Sequence, residues 1–217
     1  ILRNVHYIGC LGKNSEELWL EVAEYIDKKY DVKNIERVYI GGDGASWIKE
    51  GLNWIEKSKF VLDKFHLLKY VNQSTVDFPK YRSKIWYNIN IYDPISLENI
   101  FKEIIKKTAD EKRREKVKDS WKYIKNQWEG IEIYETEGKY LKGCSAEGHI
   151  SHVYADRMSS RPRTWCDEGI DKMSRLRVFV SNGGKIYEEL IKRKKINTKL
   201  RKYDKIIKNR SVRRKCD

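Results

Sequence analysis

The chain has 217 residues and a formal net charge of +14, from 46 Lys and Arg against 32 Asp and Glu. No run of about 18 apolar residues occurs, which excludes a membrane-spanning helix. The four cysteines are scattered without a CxxC pair, which argues against a zinc ribbon and is compatible with reduced thiols in a cytosol. The start at Ile1, with neither Met nor a signal-peptide pattern, leads us to expect a piece of a longer protein.

The first predicted elements are a strand end and a helix. Residues 5–9 resemble the tail of a strand whose partners precede the chain. Asn14 or Ser15 is then predicted to cap a helix that runs to about Tyr30, since acidic residues in a first turn favour the positive end of a helix.

Asp43 follows a β-branched and aromatic run, Val38 to Ile40, and a glycine pair that ends it. We therefore predict that Asp43 lies at the carboxyl end of a strand, before a helix that runs through Trp54. In open α/β sheets this edge is where ligands usually bind. The plainer alternative is an aspartate that only caps the next helix.

A second strand is predicted at Lys59–Asp63, followed directly by a helix that contains His66 and continues to Tyr70. Strand, short helix and strand in this order predict two adjacent parallel strands. Asp63 and His66 are spaced i,i+3 and so lie on one side of the first helical turn. They could bind metal or phosphate or orient a ligand, or be a capping Asp beside a hydrogen-bonded His.

Residues 74–138 are predicted to form an all-helical insertion of three or four helices, with an alternating stretch at Ile131–Tyr134 that indicates a short strand. Two apolar faces mark these helices: Ile100, Phe101, Ile104 and Ile105 on one, and Val117, Trp121, Ile124 and Trp128 on the other. After a loop, Ser145 is a plausible N-cap of a helix that carries Glu147 and ends before Pro162.

The last segment is strongly basic. Residues 185–217 hold 14 Lys and Arg against four Asp and Glu, whereas residues 1–70 hold eleven of each. We predict a helix that follows the amphipathic helix from Asp167 to Phe179, with a weakly apolar side resting on the body and its cationic sides available to a polyanion. A solvated tail is the alternative. The candidate DNA-binding residues are Lys192, Arg193, Lys194, Lys195, Arg201, Lys202, Arg213 and Arg214.

Asp43 and Glu147 are the pair of acids with the strongest case for chemistry. An acid at a strand end and one on a distant helix can converge on a divalent cation, and Mg²⁺ takes a few carboxylate oxygens while keeping water and phosphate ligands. Two such ions about 3.5–4 Å apart clamp a phosphodiester. His149 and His152 lie near Glu147 and could with it form a zinc site, but the HExxH spacing is missing.

Three blocks resemble one family in its order: Gly42 to Lys49, Lys59 to Tyr70, and Gly143 to His152. The chain is similar, from near residue 1 to about residue 180, to bacterial insertion-sequence transposases of the ISLre type, catalogued as an uncharacterised UPF protein family.

The resemblance implies a DDE transposase whose α/β fold is an RNase-H-like core. It assigns the second and third catalytic acids to Asp43 and Glu147, both ligands of Mg²⁺ or Mn²⁺. It also assigns Asp63 and His66 to an acid and a histidine after the fifth strand, with His149 and His152 orienting ligands nearby. The first acid of this fold lies on the first strand, and no strand-borne Asp precedes Asp43. We therefore expect a carboxy-terminal portion that is inactive alone.

The expected organisation is residues 1–73 and 139–184 as parts of the catalytic core, 74–138 as the insertion and 185–217 as a basic arm. DNA is the expected partner, with homo-oligomers possible, no membrane, and a cytoplasmic, nucleoid-associated location. Two other functions stay open at this stage: a non-catalytic DNA-binding module, and a metal hydrolase built on Glu147, His149 and His152.

Overall fold

The computed structural model describes residues 4–9, 12, 14–141, 143, 146–159 and 165–213, with the backbone alone at 146, 147, 156 and 204–213. The chain divides into two compact units. One is Lys13–Ile150, and the other joins Ile1–Gly12 to Ser151–Asp217.

The larger unit starts with an α/β segment and continues as helices. The α/β segment comprises α1 (Ser15–Lys29), β1 (Val38–Gly42), the short helices α2 (Ser46–Lys49) and α3 (Gly51–Trp54), β2 (Ser58–Leu62) and α4 (Lys64–Ser74). The helices that follow are α5 (Tyr81–Asn90), α6 (Pro94–Lys107), α7 (Glu111–Asn126), α8 (Trp128–Glu137) and α9 (Ala146–Ile150). The chain is therefore mostly helical with a small parallel sheet, which is consistent with the predicted α/β class.

The β1 and β2 strands pair in parallel from Val38↔Ser58 to Gly42↔Leu62, as predicted. The Val38 N–H donates to Lys57 O and the Asp63 N–H donates to Gly42 O, so the backbone groups of these residues point toward the partner strand. In a parallel pair every second residue of a strand bonds to the partner, and the residues between them point outward. The backbone of Leu62 therefore faces away from β1, toward α8, where the Tyr134 hydroxyl donates to Leu62 O at 3.4 Å. A Cβ on Gly130 of α8 would overlap Leu62 N, so α8 covers the outer edge of β2.

The opposite edge of the sheet, along β1, has no strand or helix paired to its backbone among the described residues. The same alternation directs the backbone N–H and C=O groups of Tyr39 and Gly41 away from β2. Among the residues that the structure describes, none forms a hydrogen bond with these four groups, and Gly41 is exposed. Within the described part of the chain, the sheet therefore has one edge covered by α8 and one edge, along β1, whose backbone groups are unpaired.

Side-chain caps start several helices where the sequence indicates them. The Asn14 side chain accepts from Glu17 N at 2.8 Å and begins α1, as predicted. Asp63 caps α4, and Asp93 and Asp110 cap α6 and α7. Each of these carboxylates satisfies an N–H that the first helical turn leaves without a backbone partner.

The core of the larger unit lies between β2 and α4–α8. Its buried members are Phe60, Leu62, Leu67, Val71, Tyr81, Ile85, Ile89, Leu97, Phe101, Ile104, Val117, Ile124 and Ile131. Both predicted apolar faces of the insertion contribute to this core. Half of their members are buried in it, and the other half pack against it partly buried: Ile100, Ile105, Trp121 and Trp128. Four helices, α5–α8, make up the segment predicted as the insertion.

Two strand predictions are wrong. Ile131–Tyr134 lies within helix α8, where Ile131 is buried at the helical spacing i,i+3 from Trp128 and Tyr134, so core packing overrides the local alternation. Residues 5–9 form no strand in the described part of the chain. There the Asn182 side chain accepts from Tyr7 N and donates to Tyr7 O, both at 2.8 Å, in place of strand pairing.

The second unit contains a π-helical segment (Ser151–Ala155), α10 (Asp156–Met158), α11 (Asp167–Ser181) and α12 (Ile186–Arg213). The π-segment carbonyls of His152 and Val153 accept hydrogen bonds, both at 2.8 Å, from the Arg177 guanidinium of α11. The predicted basic helix is present as α12. Among its described apolar residues, Leu190, Ile196, Leu200 and Tyr203 are more than half exposed, whereas Ile191 is half-buried, so the expected cover over the apolar side is partial.

No helix in the described part of the chain combines the length and the apolar composition that crossing a bilayer requires.

A buried carboxylate ties both strands to α8. The Glu137 carboxylate accepts hydrogen bonds from the Tyr39 hydroxyl and the Lys59 ammonium, and Arg37 Nε lies 3.3 Å from its Oε2. The Lys59 hydrogen bond and then the Tyr39 hydroxyl lower the pKa of Glu137 below its usual 4.5. Burial and the hydrogen bond to Glu137 raise the pKa of Tyr39 to about 12. The network therefore holds a charged carboxylate in place at neutral pH.

This network predicts a pH dependence of stability. A carboxyl group whose pKa is lower in the folded state stabilises the fold fully above its unfolded-state pKa, here 4.5, and loses that contribution as the pH falls through the folded-state pKa. We expect the thermal midpoint of the wild type to drop below pH 4.5 more steeply than that of Glu137→Gln. Glu24→Gln is the control, since Glu24 pairs with Lys28 on the surface. Equal slopes for wild type and Glu137→Gln would contradict the expectation.

Candidate functional site at the carboxyl edge of the sheet

Two aspartates follow directly after the two paired strands. Asp43 comes after β1 and Asp63 after β2, and the last register pair, Gly42↔Leu62, makes them the next neighbours across the sheet. The Asp63 backbone N–H still donates to Gly42 O at 2.8 Å, so the two segments remain joined there. Asp43 therefore lies at the carboxyl edge, as predicted, with Asp63 beside it.

The Asp43 carboxylate lies on a tight turn. Its Oδ1 accepts from Ala45 N at 2.9 Å, and Gly44 has φ +86°, a conformation that glycine adopts without strain. Asp43 is half-buried, and the predicted helix after it is split into α2 and α3. The Ala45 contact resembles a cap, but Ala45 itself is the N-cap residue of α2, so Asp43 is not simply the residue that opens the helix.

Asp63 and His66 contact each other. Asp63 Oδ1 accepts from Phe65 N at 3.1 Å, and its Oδ2 lies 3.2 Å from His66 Nδ1. Asp63 is nearly buried, whereas the His66 side chain keeps about a third of its surface exposed. The Asp63 carboxylate thus caps α4 and contacts the imidazole, as the plainer of the two interpretations predicts. A role for the pair in binding metal or phosphate or in orienting a ligand stays a prediction.

Residues of α7 complete the site, and local sequence patterns did not identify them. The Tyr123 hydroxyl donates to the Asp43 carbonyl oxygen at 2.5 Å, and its ring stacks on Tyr70 of α4 with centroids 3.7 Å apart. Gln127 Nε2 approaches Gly44 O at 3.4 Å. These contacts join residues about 80 positions apart, so no motif within one segment could have revealed them.

Burial raises the pKa of Tyr123 above its usual value, and the neighbouring Tyr70, Asp43 and Asp63 raise it further. The phenol therefore stays protonated and keeps donating its hydrogen bond.

The other predicted site residues lie on the last helices. Glu147 belongs to α9, as the helix prediction requires, but its side chain lies outside the described residues, so its approach to Asp43 stays a prediction. His149 is also on α9, and His152 is in the π segment. Six predicted DNA contacts lie exposed on α12: Lys192, Arg193, Lys194, Lys195, Arg201 and Lys202. The Arg213 side chain and the whole of Arg214 fall outside the described residues.

The described side chains bring two possible metal ligands to this edge. Among the described side chains, no three or more His, Cys, Asp or Glu residues are grouped as metal ligands. Asp43 and Asp63 do bring two carboxylates to adjacent strand ends, and carboxylate oxygens with water are the ligands that Mg²⁺ takes. The donor type of this edge therefore fits Mg²⁺ or Mn²⁺, with at least one further ligand required.

The structure suggests unequal roles for the acid and the histidine. If full-length relatives cleave DNA, as the resemblance implies, replacing the residue aligned with His66 by alanine should weaken cleavage less than replacing those aligned with Asp43 or Glu147. His66 contacts Asp63 and is expected to act only by positioning, and loss of such a positioning contact at a metal site typically costs roughly 10- to 100-fold in activity. Steady-state cleavage rates of the three variants check this. Complete loss for the His66 variant, in a protein that still folds, would reverse the ranking.

A family model described as an uncharacterised protein family, UPF0236, matches residues 1–195. Three curated UPF0236 proteins of Caldanaerobacter subterraneus subsp. tengcongensis are 51%, 50% and 50% identical to the chain over 198 residues. Each match covers 91% of this chain but only 42%, 43% and 42% of the relative, so the chain spans about two fifths of their length. No solved structure matches it.

Proposed function

Since this chain belongs to UPF0236, an uncharacterised protein family, we propose its function from its site. We propose that the longer proteins of this family are DDE transposases with an RNase-H-like core, and that this stretch contributes two of their three catalytic acids. The observation that carries the proposal is the pair of carboxylates at the adjacent ends of β1 and β2, since such an edge is where an α/β sheet binds its ligands.

The designations of the relatives add support from a different direction. One relative carries a designation that joins eleven locus numbers of a single strain, and another joins four. We interpret these as repeated gene copies of one sequence. Repeated, near-identical copies within one genome are what a mobile element leaves behind, and an ordinary housekeeping enzyme does not need them.

The proposed reaction is phosphoryl transfer on DNA. Water attacks a phosphodiester in line, the bond to the 3′ oxygen breaks, and a 3′-hydroxyl and a 5′-phosphate result. In joining, that 3′-hydroxyl attacks a target phosphodiester and displaces its 3′ oxygen. Bound Mg²⁺ would supply charge neutralisation at phosphorus, with Asp43 and Glu147 as ligands. Asp63 and His66 would orient the groups at the same edge.

A strand-transfer assay on a full-length relative tests the proposal. The purified protein, with DNA carrying the ends of its own gene locus, should nick and join strands when Mg²⁺ or Mn²⁺ is present and stop when EDTA is added. A relative that binds this DNA but neither cuts nor joins it would overturn the proposal. It would favour the second candidate, a DNA-binding module without catalysis, for which the exposed cations of α12 are the evidence.

The basic arm gives a prediction that holds for both candidates. If about half of the 14 cationic side chains of residues 185–217 reach phosphate, log K for duplex DNA should fall with log salt at a slope of roughly −6, with little dependence on sequence. Deleting residues 185–217 should remove most of that slope. Fluorescence anisotropy with one duplex at several salt concentrations measures it.

A charge-matched pair of variants locates the contact. One variant replaces the six exposed cations of α12 by glutamine: Lys192, Arg193, Lys194, Lys195, Arg201 and Lys202. The control replaces six exposed lysines of α6 and α7: Lys102, Lys106, Lys112, Lys116, Lys122 and Lys125. We expect the first to flatten the slope by up to about 5 and the control to change it little. The reverse result would assign DNA contact to the insertion and leave the arm a solvated tail.

A further inference from the structure

We infer that Tyr123 is a positioning residue for Asp43, so that the helical insertion as well as the sheet determines where the Asp43 carboxylate lies. The effect that we expect on metal binding by Asp43 rests on the proposed function. The effect on the position of the turn does not depend on that function.

The Asp43 turn has little support from its own segment. It leaves the sheet after Gly42, passes through Gly44 with φ +86°, and enters a helix of only four residues, α2. Its internal hydrogen bond, Ala45 N to Asp43 Oδ1, uses the carboxylate that would serve as a ligand. A turn of this kind needs an external contact if its carboxylate is to keep one position.

The end of α7 supplies that contact twice. The Tyr123 hydroxyl donates to Asp43 O at 2.5 Å, and the Gln127 amide reaches the next carbonyl, Gly44 O, at 3.4 Å. Gln127 is nearly buried, and a Cβ on Gly44 would overlap its amide group. Two successive carbonyls of the turn are thus held by side chains of one helix end, at a distance that only glycine allows.

The same tyrosine is linked to the second aspartate. Its ring stacks on Tyr70 at 3.7 Å with an interplanar angle of 19°, and Tyr70 belongs to α4, the helix that Asp63 caps. Tyr123 therefore contacts the Asp43 turn through its hydroxyl and the Asp63 helix through its ring. One side chain of the insertion therefore contacts both segments that carry the aspartates.

Replacing Tyr123 by phenylalanine separates positioning from packing, because the ring and its stacking partner remain and only the hydroxyl is lost. Tyr81→Phe is the matched control. Its hydroxyl also bonds within the insertion, to Glu103 Oε1 at 2.6 Å, and it lies in the same core, but it has no contact with the Asp43 turn. Both variants should keep the wild-type circular dichroism spectrum and unfold cooperatively.

The first readout is amide hydrogen exchange of Ala45, followed by NMR, because this N–H is held by the Asp43 carboxylate itself. We expect exchange roughly tenfold faster in Tyr123→Phe, the effect of losing one hydrogen bond, and unchanged in Tyr81→Phe. The second readout is a Mn²⁺ titration followed by paramagnetic broadening of the same amide. The apparent affinity for Mn²⁺ should fall several-fold in Tyr123→Phe and stay unchanged in Tyr81→Phe. The Asp43→Asn variant should show no broadening.

If the Ala45 amide exchanges at the wild-type rate in Tyr123→Phe, the hydroxyl does not position the turn and the inference is overturned. If exchange accelerates equally in Tyr81→Phe, the effect is a general loosening of the insertion, and the inference is also overturned. If exchange accelerates as expected but no Asp43-dependent Mn²⁺ broadening occurs even in the wild type, Tyr123 positions the turn and Asp43 is not a metal ligand in this chain. The two failures are therefore distinguishable.

Discussion

A full-length relative in which the aspartate aligned with Asp43 is replaced by asparagine should lose roughly a thousandfold in DNA cleavage and joining. Asparagine keeps the oxygen that accepts from the Ala45 amide, so the turn is preserved while the charge is removed. A metal ligand at a transferring phosphoryl group contributes several kcal/mol to the transition state, and each 1.36 kcal/mol is a factor of about ten in rate. Single-turnover cleavage of a labelled DNA end measures the loss.

Asp31→Asn, at the aligned position, is the matched control. Asp31 caps a short 3₁₀ turn before β1, so the substitution removes the same charge near the amino end of the same strand. It should leave cleavage within about twofold of the wild type, because surface changes away from such a site have small effects. Equal losses for both variants, or none for Asp43→Asn, would remove Asp43 from the chemistry.

Phe101→Ala should lower the free energy of unfolding by about 3–5 kcal/mol, the largest stability effect that we expect from a single substitution in this chain. Phe101 is fully buried in α6, and its ring stacks against Trp121 of α7 with centroids 5.1 Å apart. Truncation removes the transfer free energy of the ring and leaves a cavity between two helices that rigid neighbours cannot fill. Urea denaturation followed by circular dichroism measures the change.

Ile95→Ala is the control on the same helix. Ile95 is 75% exposed in the first turn of α6, so its truncation should change the free energy of unfolding by less than about 0.5 kcal/mol. A small effect of Phe101→Ala, comparable with this control, would mean that the α6–α7 contact is not part of the cooperative core.

Local patterns predicted the elements that position the acids. The apolar run before Asp43, the second run before Asp63 and the short crossover between them were enough to predict a parallel pair with both aspartates at one edge. Asn14 as a cap and the buried face that contains Phe101 and Ile104 follow from equally local rules. In each case the residues that decide the structure lie within one or two helical turns of each other.

The errors and omissions involve long-range contacts. Ile131–Tyr134 alternates like a strand but forms a helix, because packing against the edge of β2 decides its conformation. Tyr123, Gln127 and Glu137 received no functional or structural role from the sequence, since their partners are about 80 to 100 positions away. The apolar residues of α12 were expected to be covered, yet helical spacing indicates only a face and does not say what covers it.

The unpaired edge of β1 has a practical consequence for anyone who produces this chain in isolation. The backbone groups of Tyr39 and Gly41 form a short template for pairing with another strand, and natural proteins usually block such an edge with charge, proline or a covering helix. Gly41 on this edge is exposed and carries no side chain that could block pairing. Self-association at high concentration should therefore start at this edge. Gly41→Lys should raise the concentration at which light scattering first detects aggregates.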